Sequence, residues 1–166
     1  KRLTMHPIKL FLSLLFISHS IFAQFQPQTK EELQTAVDLW VDDNASALTT
    51  YGEINTWDVS LITDMSNLFN GKIEFNEDLS NWDVSSVTSM FRMFYNAASF
   101  NGDISAWNVS YVTNMRGMFN GADEFNSDIS SWDVSSVTNM FTMFYHADDF
   151  NMDISQWNVS SVTNMN

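Results

Sequence analysis

The chain has 166 residues, 45% hydrophobic and 14% aromatic, with 20 acidic residues against seven basic ones and a formal net charge of −13. This length suits one domain, and so large an apolar fraction fills a core, which excludes a disordered acidic tail. Because the sequence has no cysteine, disulfides, thiolate metal sites and lipid attachment at cysteine are excluded.

The first 23 residues have the composition of a secretory signal peptide. They contain three basic residues, no acidic residue and an apolar run from Leu10 to Phe22, which is shorter than the roughly 20 residues that cross a bilayer. Ala23 supplies a small residue for cleavage. We therefore predict a signal peptide at 1–23, a secreted or bacterial cell-surface location and no membrane insertion after cleavage. A retained anchor helix is the alternative.

The charge of the remaining chain restricts its partners. Without the first 23 residues, four basic residues face 20 acidic ones, a formal net charge of −16. A nucleic-acid binder needs clustered lysine and arginine to displace counterions from phosphates, and an anionic membrane surface makes a similar demand. We expect neither as a partner, and an extracellular protein or glycan instead.

Residues 24–56 are predicted to form an N-terminal capping helix and a connector. Thr29 and Glu32 make a capping box, and acidic residues fill the first turn. An apolar stripe follows at helical spacing: Leu33, Ala36, Val37, Trp40 and Val41. Such a helix would cover the end of a repeat stack. Residues 42–50 are predicted as a polar connector and 51–57 as a first strand.

The rest of the chain, 57–166, repeats every 25 residues. There are four full copies and the first ten residues of a fifth, with tryptophan always at the same place: Trp57, Trp82, Trp107, Trp132 and Trp157. A fixed period of this size predicts units that bury their apolar faces only by stacking on one another. Because the sequence stops within a unit, we expect further units beyond Asn166.

Each unit is predicted to contain one short helix and one short strand. Val87, Met90, Phe94 and Ala97 follow the helical spacing of three and four residues, and 100–109 alternates loosely between apolar and polar residues. The predicted fold class is therefore an α/β solenoid, a leucine-rich-repeat-like stack of 25-residue coils with an N-terminal helical cap.

The repeated pattern W(D/N)VSxVTxMxxMFxxAxxFNxDIS resembles the BspA-like leucine-rich repeat surface proteins of bacteria, and Mycoplasma surface lipoproteins share it. The resemblance covers about 51–166. It implies export to the cell surface and adhesion or binding of host proteins. The chain departs from the Mycoplasma lipoproteins because it has no cysteine at the predicted cleavage point, which argues against a lipid anchor.

Three rows of repeated residues are predicted to be structural. The tryptophans are expected in the core, with glycan stacking as the alternative if they are exposed. One row is expected to form a hydrogen-bonded ladder: Asn76, Asn101, Asn126 and Asn151. Another is expected to bind N–H groups of its own turns, with calcium ions between the carboxylates as the alternative: Asp78, Asp103, Asp128 and Asp153. No metal or other cofactor is predicted.

Catalysis is not predicted. His146 is the single histidine after the predicted signal peptide, and there is no cysteine. Catalysis needs unlike residues at one place, whereas this chain repeats like residues at four. Two alternatives to a binding protein are a purely structural spacer of a larger surface protein and a carbohydrate-active enzyme with a carboxylate pair.

The candidate binding surface consists of variable residues on the outer side of the predicted helices. It comprises Phe91, Arg92, Tyr95, Arg116, Phe141 and Tyr145. Aromatic residues recur here two units apart, which favours contact with a protein or glycan. Full burial of Tyr95 and Tyr145 would contradict this prediction. We predict an exported, non-catalytic adhesion or protein/glycan-binding module.

Overall fold

The computed structural model describes residues 24–165. The signal peptide predicted at 1–23 lies outside the described residues. Three helical elements come first: α1 (Lys30–Asp42), α2 (Asn44–Tyr51) and a 3-10 turn (Ile54–Thr56). The repeated units follow from Trp57. No helix within 24–165 is both long and apolar enough to span a bilayer.

Helix α1 begins at the predicted capping box. Thr29 Oγ1 accepts a hydrogen bond from the Glu32 N–H at 3.2 Å, and the Glu32 carboxylate accepts one from the Gln28 N–H at 2.7 Å. Four of the five predicted stripe residues are buried: Leu33, Ala36, Val37 and Trp40. Val41 is 40% exposed, so its assignment to the stripe was wrong. One residue turns the helix by about 100°, which carries Val41 past the buried side.

Helix α2 replaces the predicted connector. Asp43 caps it, because its carboxylate accepts hydrogen bonds from the Ser46 N–H at 3.2 Å and the Ser46 hydroxyl at 2.6 Å. Gly52, with φ 73°, ends the helix. The connector predicted at 42–50 and the strand predicted at 51–57 were therefore both wrong, since the latter range holds the end of α2 and the 3-10 turn.

The prediction of an α/β solenoid was also wrong, because no unit within 24–165 contains an α-helix or an extended strand. The backbone of positions ten and fourteen after each tryptophan is left-handed, whereas an α-helix needs right-handed φ throughout. In the four full units these positions are Asn67, Gly71, Arg92, Asn96, Gly117, Gly121, Thr142 and His146.

A series of tight turns produces the spacing that resembled a helix. The N–H groups of Met93, Tyr95 and Ala97 donate to carbonyls three residues earlier, at 3.1 to 3.2 Å. Turns of this kind, like a helix, bring residues three and four apart to the same side. Met90, Phe94 and Ala97 are accordingly buried without being helical.

Alternate N–H groups bond to the next unit instead. Met65, Asn67, Phe69 and Gly71 donate to the carbonyls of Ser89, Phe91, Met93 and Tyr95, at 2.8 to 2.9 Å. Because the intervening residues turn within their own unit, parallel pairing never extends over consecutive residues, and no sheet forms within 24–165. The isolated parallel bridges join one residue per unit: Asp64, Ser89, Asn114, Asn139 and Asn164. The strand predicted at 100–109 was wrong because N–H groups in this range bond to side chains and turns: Asn101 to Asn76 Oδ1, Ser105 to the Asp103 carboxylate and Trp107 to the Ile104 carbonyl.

Aromatic rows run through the core of the stack. The rings of Phe94 and Phe119 lie 5.7 Å apart and 3° from parallel. The corresponding values are 6.1 Å and 5° for Phe100 and Phe125, and 6.4 Å and 4° for Trp107 and Trp132. Each ring therefore packs on its equivalent in the neighbouring unit, and no unit can bury its core alone.

Helix α1 covers the first unit. The Gln34 side-chain amide donates to the Leu68 carbonyl at 3.1 Å. In the second unit the equivalent carbonyl, of Met93, accepts the Phe69 N–H. Gln34 thus supplies the donor that a preceding unit would supply. Trp40 packs edge-on against Trp57, with ring centroids 5.9 Å apart.

Candidate ligand-binding surface

Arg92 forms the centre of the arginine–aromatic surface, the name used here for Phe91, Arg92, Tyr95, Arg116, Phe141 and Tyr145. Its guanidinium carbon lies 4.7 Å from the centroid of the Tyr95 ring and 5.1 Å from that of Phe91. These distances are those of cation–π contacts. The half-buried Arg92 side chain is therefore held against two rings of its own unit.

Arg116 extends the same contacts to both neighbouring units. Its guanidinium carbon lies 5.9 Å from the Phe91 ring of the preceding unit and 5.3 Å from the Phe141 ring of the following one. Arg116 itself is exposed, while Phe91 and Phe141 are half-buried. Five of the six predicted surface residues consequently form one continuous set of ring and guanidinium contacts across three units.

Tyr145 lies outside this set. Its ring is 58% exposed and packs against the His146 imidazole, with centroids 4.1 Å apart. Tyr95, two units earlier, is half-buried. Neither tyrosine is fully buried. The Tyr145 ring borders the uncovered apolar end of the fourth unit, together with Phe144 and Trp157.

The backbone under the surface is left-handed at Arg92, where φ is 52°. A left-handed backbone costs a non-glycine residue about 1–2 kcal/mol. The next unit has Gly117 at the same position, where an added Cβ would lie 3.4 Å from Arg92 Cγ and 3.7 Å from Tyr95 Cδ2. A Cβ at Gly117 would thus make ordinary van der Waals contact with both side chains, and the left-handed φ of 60° is what favours glycine there.

A separate shallow groove of about 480 Å³ lies along positions fourteen and sixteen of the units. Its polar lining includes Asn96, His146, Asp123 and Asp148. Gly121 also lines it, and a Cβ there would collide with the Asn96 amide. His146, which packs against the Tyr145 ring, connects the groove to the arginine–aromatic surface.

The charges of the surface differ from those of the other basic residues. Lys30 and Lys72 pair with Asp64 and Asp38, at 2.8 and 2.6 Å, and fix α1 to the first unit. Arg92 and Arg116 form no ion pair with any carboxylate within 24–165. Both guanidinium groups are held by aromatic rings instead.

The asparagine row forms a ladder of side-chain to backbone bonds. The Oδ1 atom of each of Asn76, Asn101 and Asn126 accepts the N–H of the asparagine one unit on, at 2.8 to 2.9 Å. Asn151 receives no such bond from a later unit within 24–165. The row therefore joins successive units at a corner of the coil.

The aspartate row is organised differently, since each carboxylate bonds within its own turn. Asp78, Asp103, Asp128 and Asp153 accept the N–H of the serine two residues on, at 2.8 to 3.0 Å. These bonds lower the pKa of Asp103, Asp128 and Asp153, with the backbone N–H as the largest cause and the serine side chain next. Hydrogen bonding to the charged form is the physical reason.

Two features of the units were not recognised from the sequence. The first is a threonine row, in which the N–H and hydroxyl of Thr113 both donate to the Thr88 carbonyl, at 2.9 and 3.2 Å. The second is a further turn at the start of each unit, where Asp83 accepts the Ser85 N–H at 3.0 Å. The repeated Asp/Asn-x-Ser spacing is the signal that predicts such turns.

His146, Asp123 and Asp148 are titratable residues that line the groove. No group of three or more histidine and acidic side chains within 24–165 could hold a metal ion. His146 is exposed and lies beside Tyr145. The geometry of the described units therefore supplies a contact surface with rings, guanidinium groups and hydrogen-bonding side chains.

Comparison with known proteins gives one kind of match. A family model described as "Mycoplasma protein of unknown function, DUF285" matches residues 41–128 and 103–166. Neither curated proteins nor solved structures yield a match. The two matched ranges overlap within the repeats and together include α2 and every unit.

Proposed function

We propose that this chain, which belongs to the family described as "Mycoplasma protein of unknown function, DUF285", is an exported surface repeat protein that binds an extracellular protein or glycan without catalysis. Its repeat pattern also resembles the BspA-like surface proteins, in which adhesion has been proposed. The basic and apolar composition of 1–23 supports export.

One observation carries the binding proposal: the arginine–aromatic surface keeps two guanidinium groups on rings rather than on carboxylates. The chain has 20 acidic residues, yet neither arginine forms an ion pair within 24–165. Arginine and aromatic residues are enriched at the energetically important centres of interfaces. A surface that holds them in fixed positions needs little further ordering when a partner binds.

Binding without catalysis fits the arrangement of the acids. Asp103 and its equivalents are each engaged by the N–H of a serine two residues on. A glycosidase would need two carboxylates facing one bond at a separation of roughly 5–10 Å, with different roles. Because each of these acids is bonded within its own turn, the proposal assigns them to structure.

The binding proposal is tested by replacing Tyr145. Tyr145→Ser removes a ring that is 58% exposed, so folding should be preserved. Tyr111→Ser is the matched control, because Tyr111 is 66% exposed but lies at position four of its unit, outside the surface. The purified protein and both variants are tested on immobilised extracellular-matrix proteins and on a glycan array.

The proposal predicts specific binding that Tyr145→Ser weakens and Tyr111→Ser leaves unchanged. Equal losses in the two variants would show that the surface is not the binding site. Failure of the intact protein to bind any immobilised ligand would favour the alternative of a structural spacer.

A further inference from the structure

We infer that the arginine–aromatic surface binds a glycan bearing an isolated acidic sugar, whose carboxylate or sulfate is held by Arg116 and Arg92. The inference rests on the proposed binding function and specifies its ligand. The shared chemistry is an anionic group attached to a pyranose ring.

The free hydrogen-bonding edges of the two guanidinium groups are the first argument. Cation–π contact uses the flat face of a guanidinium and leaves its N–H groups directed outward in the plane. Within 24–165, neither arginine side chain donates a hydrogen bond or forms an ion pair. The planar, forked arrangement of guanidinium N–H groups matches the paired oxygens of a carboxylate or sulfate.

The position of both arginines on one ring is the second argument. The guanidinium carbons of Arg92 and Arg116 lie 5.1 and 5.9 Å from the Phe91 centroid. Both guanidinium groups therefore lie at the Phe91 ring, and a negative group bound beside either of them is attracted by both charges.

The surroundings favour a sugar as the carrier of that group. Tyr145 offers an exposed ring for stacking, and the neighbouring groove offers Asn96 and His146 to hydroxyl groups. Asp123 and Asp148 in the groove accept hydroxyl hydrogen bonds but repel an anion. The acidic group should therefore lie at Arg116 and the uncharged hydroxyls in the groove.

The overall charge selects against highly charged ligands. Residues 24–166 have a formal net charge of −16, so a polyanion or an acidic peptide stretch is repelled as a whole. A single acidic sugar in an otherwise neutral oligosaccharide carries one negative charge, which the two guanidinium groups bind. This argument separates a glycan from an acidic protein segment.

The test compares three oligosaccharides by isothermal titration calorimetry with the full protein. The probes are 3′-sialyllactose with a carboxylate, 3′-sulfolactose with a sulfate, and lactose without charge. We expect at least one acidic probe to bind about tenfold or more tightly than lactose, the range of one charge-assisted hydrogen-bonded contact. The ratio of the two acidic affinities then identifies the preferred anion.

Variants connect the preference to the arginines. Arg116→Gln should bring the affinity for the acidic probe close to that for lactose, and Arg116→Lys should restore it only in part because lysine lacks the fork. Lys72→Gln is the charge-matched control, since Lys72 pairs with Asp38 away from the surface. Circular dichroism checks folding, which the exposed position of Arg116 should preserve.

Separate outcomes overturn the inference and the proposed function. If lactose binds as tightly as both acidic probes and only Tyr145→Ser weakens it, the surface binds sugars but not through an anion. If an Asp-rich peptide binds and all three sugars fail, the ligand is a protein and the inference is wrong. If neither sugars nor matrix proteins bind the intact chain, the proposed function fails with it.

Discussion

The indole N–H of Trp107 donates a hydrogen bond to the backbone carbonyl of Leu79 in the preceding unit, 3.0 Å away. The same bond, always 28 residues back in the chain, recurs at Trp82, Trp132 and Trp157. Trp82, Trp107 and Trp132 therefore fill the core and also give a carbonyl of the preceding unit a second hydrogen bond. Phenylalanine could take only the first role. The Trp57 indole, in the first unit, donates to the Gly52 carbonyl instead.

Trp107→Phe should lower the free energy of unfolding by about 1 kcal/mol, because the Leu79 carbonyl would lose one of its two donors and keep the Trp82 N–H. Urea denaturation followed by circular dichroism measures the change. Trp157→Phe should cost less, since Trp157 is only half-buried and water can replace its bond to Ile129. An equal loss in both variants would contradict a larger cost at the buried position.

Asn101→Ala should destabilise the stack by about 1 kcal/mol. The Asn101 Oδ1 atom accepts the Asn126 N–H at 2.9 Å, and alanine removes that acceptor. Asn101→Asp keeps an acceptor at the same place and should retain most of the stability. The ladder would have no energetic role if alanine and aspartate gave the same denaturation midpoint as asparagine.

Thr142→Gly should raise the free energy of unfolding by about 1 kcal/mol, because glycine relieves a β-branched residue at φ 54°. In an α-helix, replacing threonine by glycine would instead lower the free energy of unfolding by roughly that amount. The sign of the effect therefore distinguishes the observed turns from the predicted helix. Gly117→Thr, at the same position one unit earlier and with φ 60°, is the reciprocal variant and should be destabilising.

Acid should destabilise the protein below about pH 4. The folded-state pKa values of Asp103, Asp128 and Asp153 lie below the ordinary value of 3.8. A lowered pKa contributes stability that is present above the unfolded value and lost as the pH falls through the folded one. Tm measured from pH 7 to pH 2 should therefore fall at the acid end.

The triple variant Asp103→Asn, Asp128→Asn, Asp153→Asn isolates this effect. Asparagine can accept the same serine N–H without titrating, as Asn108 does from Ser110 at 3.2 Å. Between pH 7 and pH 2, the Tm of the triple variant should fall less than the Tm of the unaltered protein. A loss of the same size in both proteins would assign acid unfolding to other groups.

The sequence by itself determined the 25-residue period, the places where equivalent residues recur and the position of α1. Period and capping chemistry are local properties, so Trp82 to Trp157 and the Thr29 capping box could be read directly. The sequence also indicated which side of each unit is variable. It identified Phe91, Arg92, Arg116 and Phe141 as surface residues without showing that they touch.

Only the tertiary structure decided how each 25-residue unit is folded. The apolar spacing of Met90, Phe94 and Ala97 fits both a helix and a series of tight turns, and local periodicity cannot distinguish them. The choice depends on where the backbone N–H groups find acceptors, and here every second one finds a carbonyl in the next unit. That option exists only once the units are stacked, and the stacking brings Arg92 and Arg116 to the shared Phe91 ring.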